Sequence, residues 1–147
     1  MIIGKSKREI EKMRAAGRLA GLVLSQLKTL ARPGVTTLDI DRAAEKMIRD
    51  AGALPTFKGY NGFPYSICAS VNEQIVHGFP SNYVLVEGDI LSIDCGATLE
   101  GYVGDTAATV PVGEVDEEKL KLIRITEECL ERAIQQCRAG NHVLPDR

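Results

Sequence analysis

The chain has no Trp, only two His, and aromatics at 5% of its 147 residues. Where aromatics do cluster, the cluster is therefore informative. No apolar run approaches membrane-spanning length, so no membrane role is expected. The net charge is −2 and the Lys and Arg residues are scattered, which leaves no electrostatic case for binding DNA or other nucleic acid. Met1-Ile2-Ile3 is followed almost at once by charged residues, so no signal-peptide core is read. The four cysteines, Cys68, Cys95, Cys129 and Cys137, form no C-x-x-C pair. A thiolate zinc site and a thioredoxin-like motif are thus unsupported, and reduced thiols in a cytoplasmic protein are expected.

What is present is ordinary for one globular domain: 44% hydrophobic and 26% charged residues. Ser6-Lys7-Arg8-Glu9 is a capping-box pattern, and it predicts a helix running to about Ala31. Ile10, Met13, Ala16, Ala20, Val23, Leu24 and Leu27 give that helix one apolar face. A second helix is expected near Thr37, capped by Thr36 or Thr37, with Asp39 and Asp41 in its first turn and Gly52 just past its end. Leu38, Ala43, Ala44, Met47 and Ile48 supply its stripe. Both helices read as core scaffolding.

From Ala53 to Pro64 two prolines and two glycines predict a loop. It holds Phe57, Tyr60 and Phe63 at spacing three, which reads either as a satellite cluster pinning the loop or as the wall of an apolar pocket. Ser66–Val71 reads as a strand and Asn72-Glu73 as a turn. Gln74–His77 is expected to resume an extended segment. His77 stands beside Gly78, where a histidine is commonly a loop or satisfied core residue. It gains interest from the carboxylates that follow.

Those carboxylates sit in Glu87–Pro111, which reads as two strands joined around Leu99–Gly101. Asp94 lies in the first strand and Asp105 in the second, each among apolar or small residues. Burying two carboxylates together is costly unless a cation neutralises them. If Leu99-Glu100 forms the turn, Asp94 faces Asp105. If Glu100-Gly101 forms it, Asp94 faces Ala107 and Asp105 is the diagonal neighbour. Both registers put the two side chains on one face, the arrangement a hard divalent cation needs.

Asp116 caps a third expected helix, about Glu117 to Cys137, with Leu120, Ile123, Ile125, Cys129, Leu130 and Ile134 available for burial. The end of this helix and the stretch after it echo an earlier one: Arg32, Gly34 and Leu38 coincide with Arg138, Gly140 and Leu144. The chain reads as one complete repeat and, from about residue 114, the opening of another.

The motifs V-N-E-x-x-x-H-G-F-P, E-G-D-I-L-x-I-D and G-x-x-G-D-T-A together resemble the type I methionine aminopeptidases, over essentially residues 2 to 143. The resemblance implies an α/β (α+β) chain forming half of the pita-bread fold, an antiparallel sheet covered by helices, in a family built from two pseudo-symmetric halves. It implies two divalent metal ions (Co, Mn, Fe, Zn or Ni), with Asp94 a bidentate ligand of one and Asp105 bridging both. His77 would contact the substrate near the scissile peptide. Phe57, Tyr60, Phe63 and Cys68 would line the pocket for the N-terminal methionine side chain, with Phe57 where relatives often carry a cysteine.

The family's remaining ligands, one histidine and two glutamates, have no counterpart here, and neither has its second substrate-contacting histidine; His142 matches no ligand. The expectation is a truncated chain whose metal binding is weak or partial and which alone is inactive. The partners implied are N-terminal Met peptides and nascent chains, with the ribosome as the place of encounter. The full-length form is expected as a monomer, and the truncated chain is expected to self-associate. A non-catalytic peptide-binding module of the same fold and a prolidase-like dipeptidase are the alternative readings.

Overall fold

Ser6 begins the first helix as the capping box predicts: its hydroxyl accepts the Glu9 N–H, and the Glu9 carboxylate accepts the Ser6 N–H at 2.7 Å. In the computed structural model, which describes residues 3–141, helix α1 spans Lys7–Leu30 and α2 spans Thr37–Asp50. Met1, Ile2 and the stretch holding His142 and Leu144 lie outside the described residues. Thr36 caps α2 by accepting the Asp39 N–H at 3.0 Å. Strands β1 (Leu54–Pro55), β2 (Ile67–Val71), β3 (Ile90–Leu99) and β4 (Tyr102–Pro111) follow, and then α3 (Glu117–Gln136). The chain divides into two compact units, Met1–Val115 and Asp116–Arg147.

In the first unit β3 is the central strand of an all-antiparallel sheet. β4 lies on one edge; β2 and the short β1 share the other. Alternation along β3 gives the sheet two unlike faces. Leu91, Ile93, Cys95 and Ala97 are fully buried and join the helices' Ala20, Leu27, Ile40, Ala44 and Ile48 in one core. α1 lies against β3 and β4, and α2 against β1 and β2. The opposite face carries Ser92, Asp94, Gly96 and Thr98 of β3 and, by register, Cys68 and Ser70 of β2 and Asp105, Ala107 and Thr109 of β4. Helices on one face and functional candidates on the other are the consequence of a period-2 pattern. The expected antiparallel sheet covered by helices is what the first unit shows.

Close packing of α1 onto the sheet depends on Gly104. A Cβ there would run into the Ala16 carbonyl oxygen and lie 2.6 Å from the Gly17 nitrogen, so the helix backbone rests directly on β4. Ile10 and Met13, placed by periodicity on the apolar face of α1, are each 42% exposed because the sheet contact is made further along the helix.

Two expectations change. Gln74–His77 forms no strand; His77 has a positive φ of 56°, which breaks the extended path. In α3 no residue is buried, and Leu120, Ile125, Leu130 and Ile134 are exposed. That helix is carried by its Asp116 cap and by local pairs such as Arg132–Glu128, not by burial of its stripe.

Candidate active site

The β3–β4 turn decides the register of the two aspartates. Glu100 and Gly101 both have positive φ, 49° and 81°, the signature of a two-residue type I′ connection. Asp94 therefore pairs with Ala107, and Asp105 pairs with Gly96. The second of the two registers is the one present, and the carboxylates are diagonal neighbours on the helix-free face. Asp94 is half-buried while Asp105 is exposed, so the pair is less enclosed than its apolar sequence context suggests.

Their electrostatics follow. Burial raises the pKa of Asp94, and the charge of Asp105 and a hydrogen bond to Asp105 raise it further; His77 pulls it the other way. Asp94 thus feels both Asp105, its diagonal neighbour on the sheet face, and His77 of the segment that follows β2. Two carboxylates that repel each other suit a hard divalent cation, which relieves the repulsion and accepts their oxygens. Among the described residues no group of three or more His, Cys, Asp or Glu is disposed to hold a metal ion. As two hard oxygen donors on one sheet face, Asp94 and Asp105 fit the chemistry of a divalent cation.

Of the expected pocket residues, Phe57, Tyr60 and Phe63 come from the segment between β1 and β2, and Cys68 from β2 itself. Phe57 lies against Gly96, at which a Cβ would be 2.6 Å from its Cε1; it thus crosses the same sheet face beside Asp105. Lys58, next in sequence, ties this loop to α2 through Glu45 at 2.6 Å. Cys68 is buried directly across from Asp94, and burial followed by the charges of Asp94 and Asp105 pushes its thiol up to about 11. Phe63 stacks edge-on with Tyr65 and Phe79, its centroid 6.1 Å from the first and 5.1 Å from the second. Tyr60 is 70% exposed and stands outside that trio, because the left-handed Asn61 turns the chain between it and Phe63. Sequence reasoning missed Tyr65 and Phe79. The signal available was Phe79 inside the H-G-F-P motif, two residues from His77.

Asp41 departs from expectation: Asp39 is the acidic residue of the first turn of α2, whereas Asp41 is 4% exposed, and its Oδ1 accepts the N–H groups of Ser66 at 2.8 Å and Ile67 at 3.1 Å. It fixes the start of β2, and with it Cys68 and Ser70.

Comparison with known proteins places these features in a family. The sequence profile of metallopeptidase family M24 matches residues 11–144. A methionine aminopeptidase of Clostridium acetobutylicum is 51% identical over 144 residues, which is 97% of this chain and 58% of that protein. The crystal structure of methionine aminopeptidase from Thermotoga maritima superposes with a TM-score of 0.89 at 42% identity, covering 94% of this chain and 55% of that one. An X-Pro aminopeptidase from Thermotoga maritima superposes with a TM-score of 0.75 at 29% identity, covering 92% and 37%. The chain spans about half the length of the curated relatives it matches.

Proposed function

Because the chain belongs to metallopeptidase family M24, we propose that it serves methionine aminopeptidase chemistry: hydrolysis of the peptide bond that follows an N-terminal methionine. The observation that carries this reading is the diagonal placement of Asp94 and Asp105 on one sheet face, with His77 acting on Asp94. Asp94 and Asp105 are the residues that hold divalent ions. Bound there, such ions supply Lewis-acid polarisation of a water and of the scissile carbonyl. His77 donates to the scissile peptide and orients it. Phe57, Phe63 and Cys68 wall the methionine side chain, and Tyr60 closes over it from its exposed loop. The substrates are N-terminal Met peptides of nascent chains, met at the ribosome in the cytoplasm. No helix among the described residues is long and apolar enough to cross a membrane.

Metal binding by the chain itself is expected to be weak, since two carboxylates leave most positions of each ion to water. Millimolar Mn²⁺ should raise the melting temperature slightly, and Asp94→Asn should remove that rise. The activity is tested in a chimera in which residues 3–141 of this chain replace the matched segment of a methionine aminopeptidase relative. Loaded with Co²⁺ or Mn²⁺, it should release Met from a Met-Ala-Ser peptide, and Asp94→Asn should abolish release. A folded chimera that releases no Met would sink the proposal.

A second reading is a peptide-binding module without catalysis. Peptide binding unchanged in Asp94→Asn would favour it. The prolidase-like reading is weaker, because the superposition on the X-Pro aminopeptidase has the lower TM-score and identity. Self-association of the chain is a further proposal, supported by exposed Ile75, Val76, Phe79 and Val86. A single monomeric species in sedimentation at high concentration would refute it.

A further inference from the structure

His77 has a φ of 56°, a left-handed conformation that a residue with a Cβ rarely adopts unless its surroundings impose it. The residue that follows shows what imposes it. The Gly78 N–H donates to the Ser70 Oγ at 2.9 Å, and the Gly78 carbonyl accepts the Ala69 N–H at 2.9 Å. A Cβ on Gly78 would stand 2.5 Å from the Ala69 oxygen and 2.7 Å from the Ser70 Cα, so this segment rides directly on the backbone of β2. Ser70 is only 3% exposed. It points to the same sheet face as Asp94, since Cys68 pairs with Asp94 and Ser70 with Ser92.

The flanks of the segment are fixed independently. On one side Asn72 donates from Nδ2 to Asp89 Oδ1 at 2.8 Å, and its Oδ1 accepts the Ile90 N–H at 3.0 Å. On the other, Phe79 is held edge-on by Phe63 and Tyr65. Between these anchors Ile75 and Val76 are exposed, 88% and 66%. The hydroxyl of Ser70 is thus the buried side-chain contact made at the peptide joining His77 to Gly78.

We infer that Ser70 is a positioning residue, whose hydroxyl holds the Gly78 N–H and thereby fixes the left-handed backbone of His77 that carries its imidazole. The inference rests on the substrate-contacting role proposed for His77, but the contact itself is tested without turnover. In Ser70→Ala the exchange rate of the Gly78 amide should rise about tenfold, and the backbone and imidazole resonances of His77 should shift. Thr98→Ala is the control. It removes a hydroxyl from the same face, one paired to the Thr56 hydroxyl at 2.9 Å and six residues along β3 from the Ser92 that pairs with Ser70. It should lower the melting temperature while leaving the His77 resonances and Gly78 exchange as in the wild type. The inference is overturned if Ser70→Ala leaves those signals unchanged, or if Thr98→Ala moves them as far. Should Ser70→Ala fail to fold, exchange in the wild-type chain still decides. A Gly78 amide protected as well as the β2–β3 ladder supports the contact, and one that exchanges like the exposed Val76 amide overturns it. A chain that fails to bind or process peptide counts against the proposed function and leaves these signals where they are.

Discussion

Asp105 lies diagonally across the β3–β4 ladder from Asp94, beside the Ala107 that Asp94 pairs with directly. The pair is near enough for Asp105, after burial, to raise the pKa of Asp94. A raised carboxylate pKa means that the folded chain keeps a proton the unfolded chain has already lost. That stability is full below about pH 3.9, the ordinary Asp value, and is lost as pH rises through the raised value. Asp105→Asn removes the opposing charge, so melting temperature should fall less over that window in the variant than in the wild type. Equal slopes from pH 3.5 to 7 in a thermal-shift series would show that the two carboxylates do not interact. Asp41 is also raised by burial and contributes equally to both proteins, so the comparison isolates the pair.

Gly104 is the point where α1 touches β4. Gly104→Ala would drive a methyl into the Ala16 carbonyl and the Gly17 nitrogen, which are backbone and cannot rotate away. The helix must lift, and the expected cost is about 2–3 kcal/mol. Urea unfolding should show a lower midpoint with an unchanged slope. A loss under about 0.5 kcal/mol would mean that the helix can slide freely on the sheet.

Local chemistry made much of this readable in advance. Ser6 and Thr36 cap helices through side-chain contacts within three residues, and the apolar spacing of Ala16 to Leu27 points one way whatever it packs against. The aspartates were confined to one face because a period of 2 holds in either register; only the φ values of Glu100 and Gly101 chose between them. What escaped was set by distant partners. Tyr65 and Phe79 meet across a turn and a loop, and Asp41 bonds to Ser66 and Ile67 from another element. No local pattern separates an aspartate that favours a helix N-terminus from one that receives two buried amides.

That second role of Asp41 is testable. Asp41→Ala leaves the Ser66 and Ile67 N–H groups buried without an acceptor, and the chain should lose about 3 kcal/mol. Asp41→Asn keeps an oxygen at Oδ1 and removes a charge that burial disfavours, so it should stay within about 1 kcal/mol of the wild type at neutral pH. If both variants lose equally in denaturant titrations, the acceptor oxygen is not what fixes the start of β2.

Cysteine reactivity separates the sheet from the third helix. Cys68 and Cys95 are buried, and burial, followed by the charges of Asp94 and then Asp105, pushes their thiols up to about 11 and about 12. At pH 7.5 a vanishing fraction of either is thiolate, the form that attacks an alkylating reagent. Cys129 and Cys137 are exposed on α3 and at its end. Iodoacetamide should therefore modify two thiols of the native chain quickly and two only after denaturant is added, with mass spectrometry assigning the fast pair to Cys129 and Cys137. Asp94→Asn removes the nearer charge but not the burial, so Cys68 should remain slow in that variant. Fast labelling of Cys68 in the native wild type would mean that the face carrying Asp94 is open to reagent down to β2.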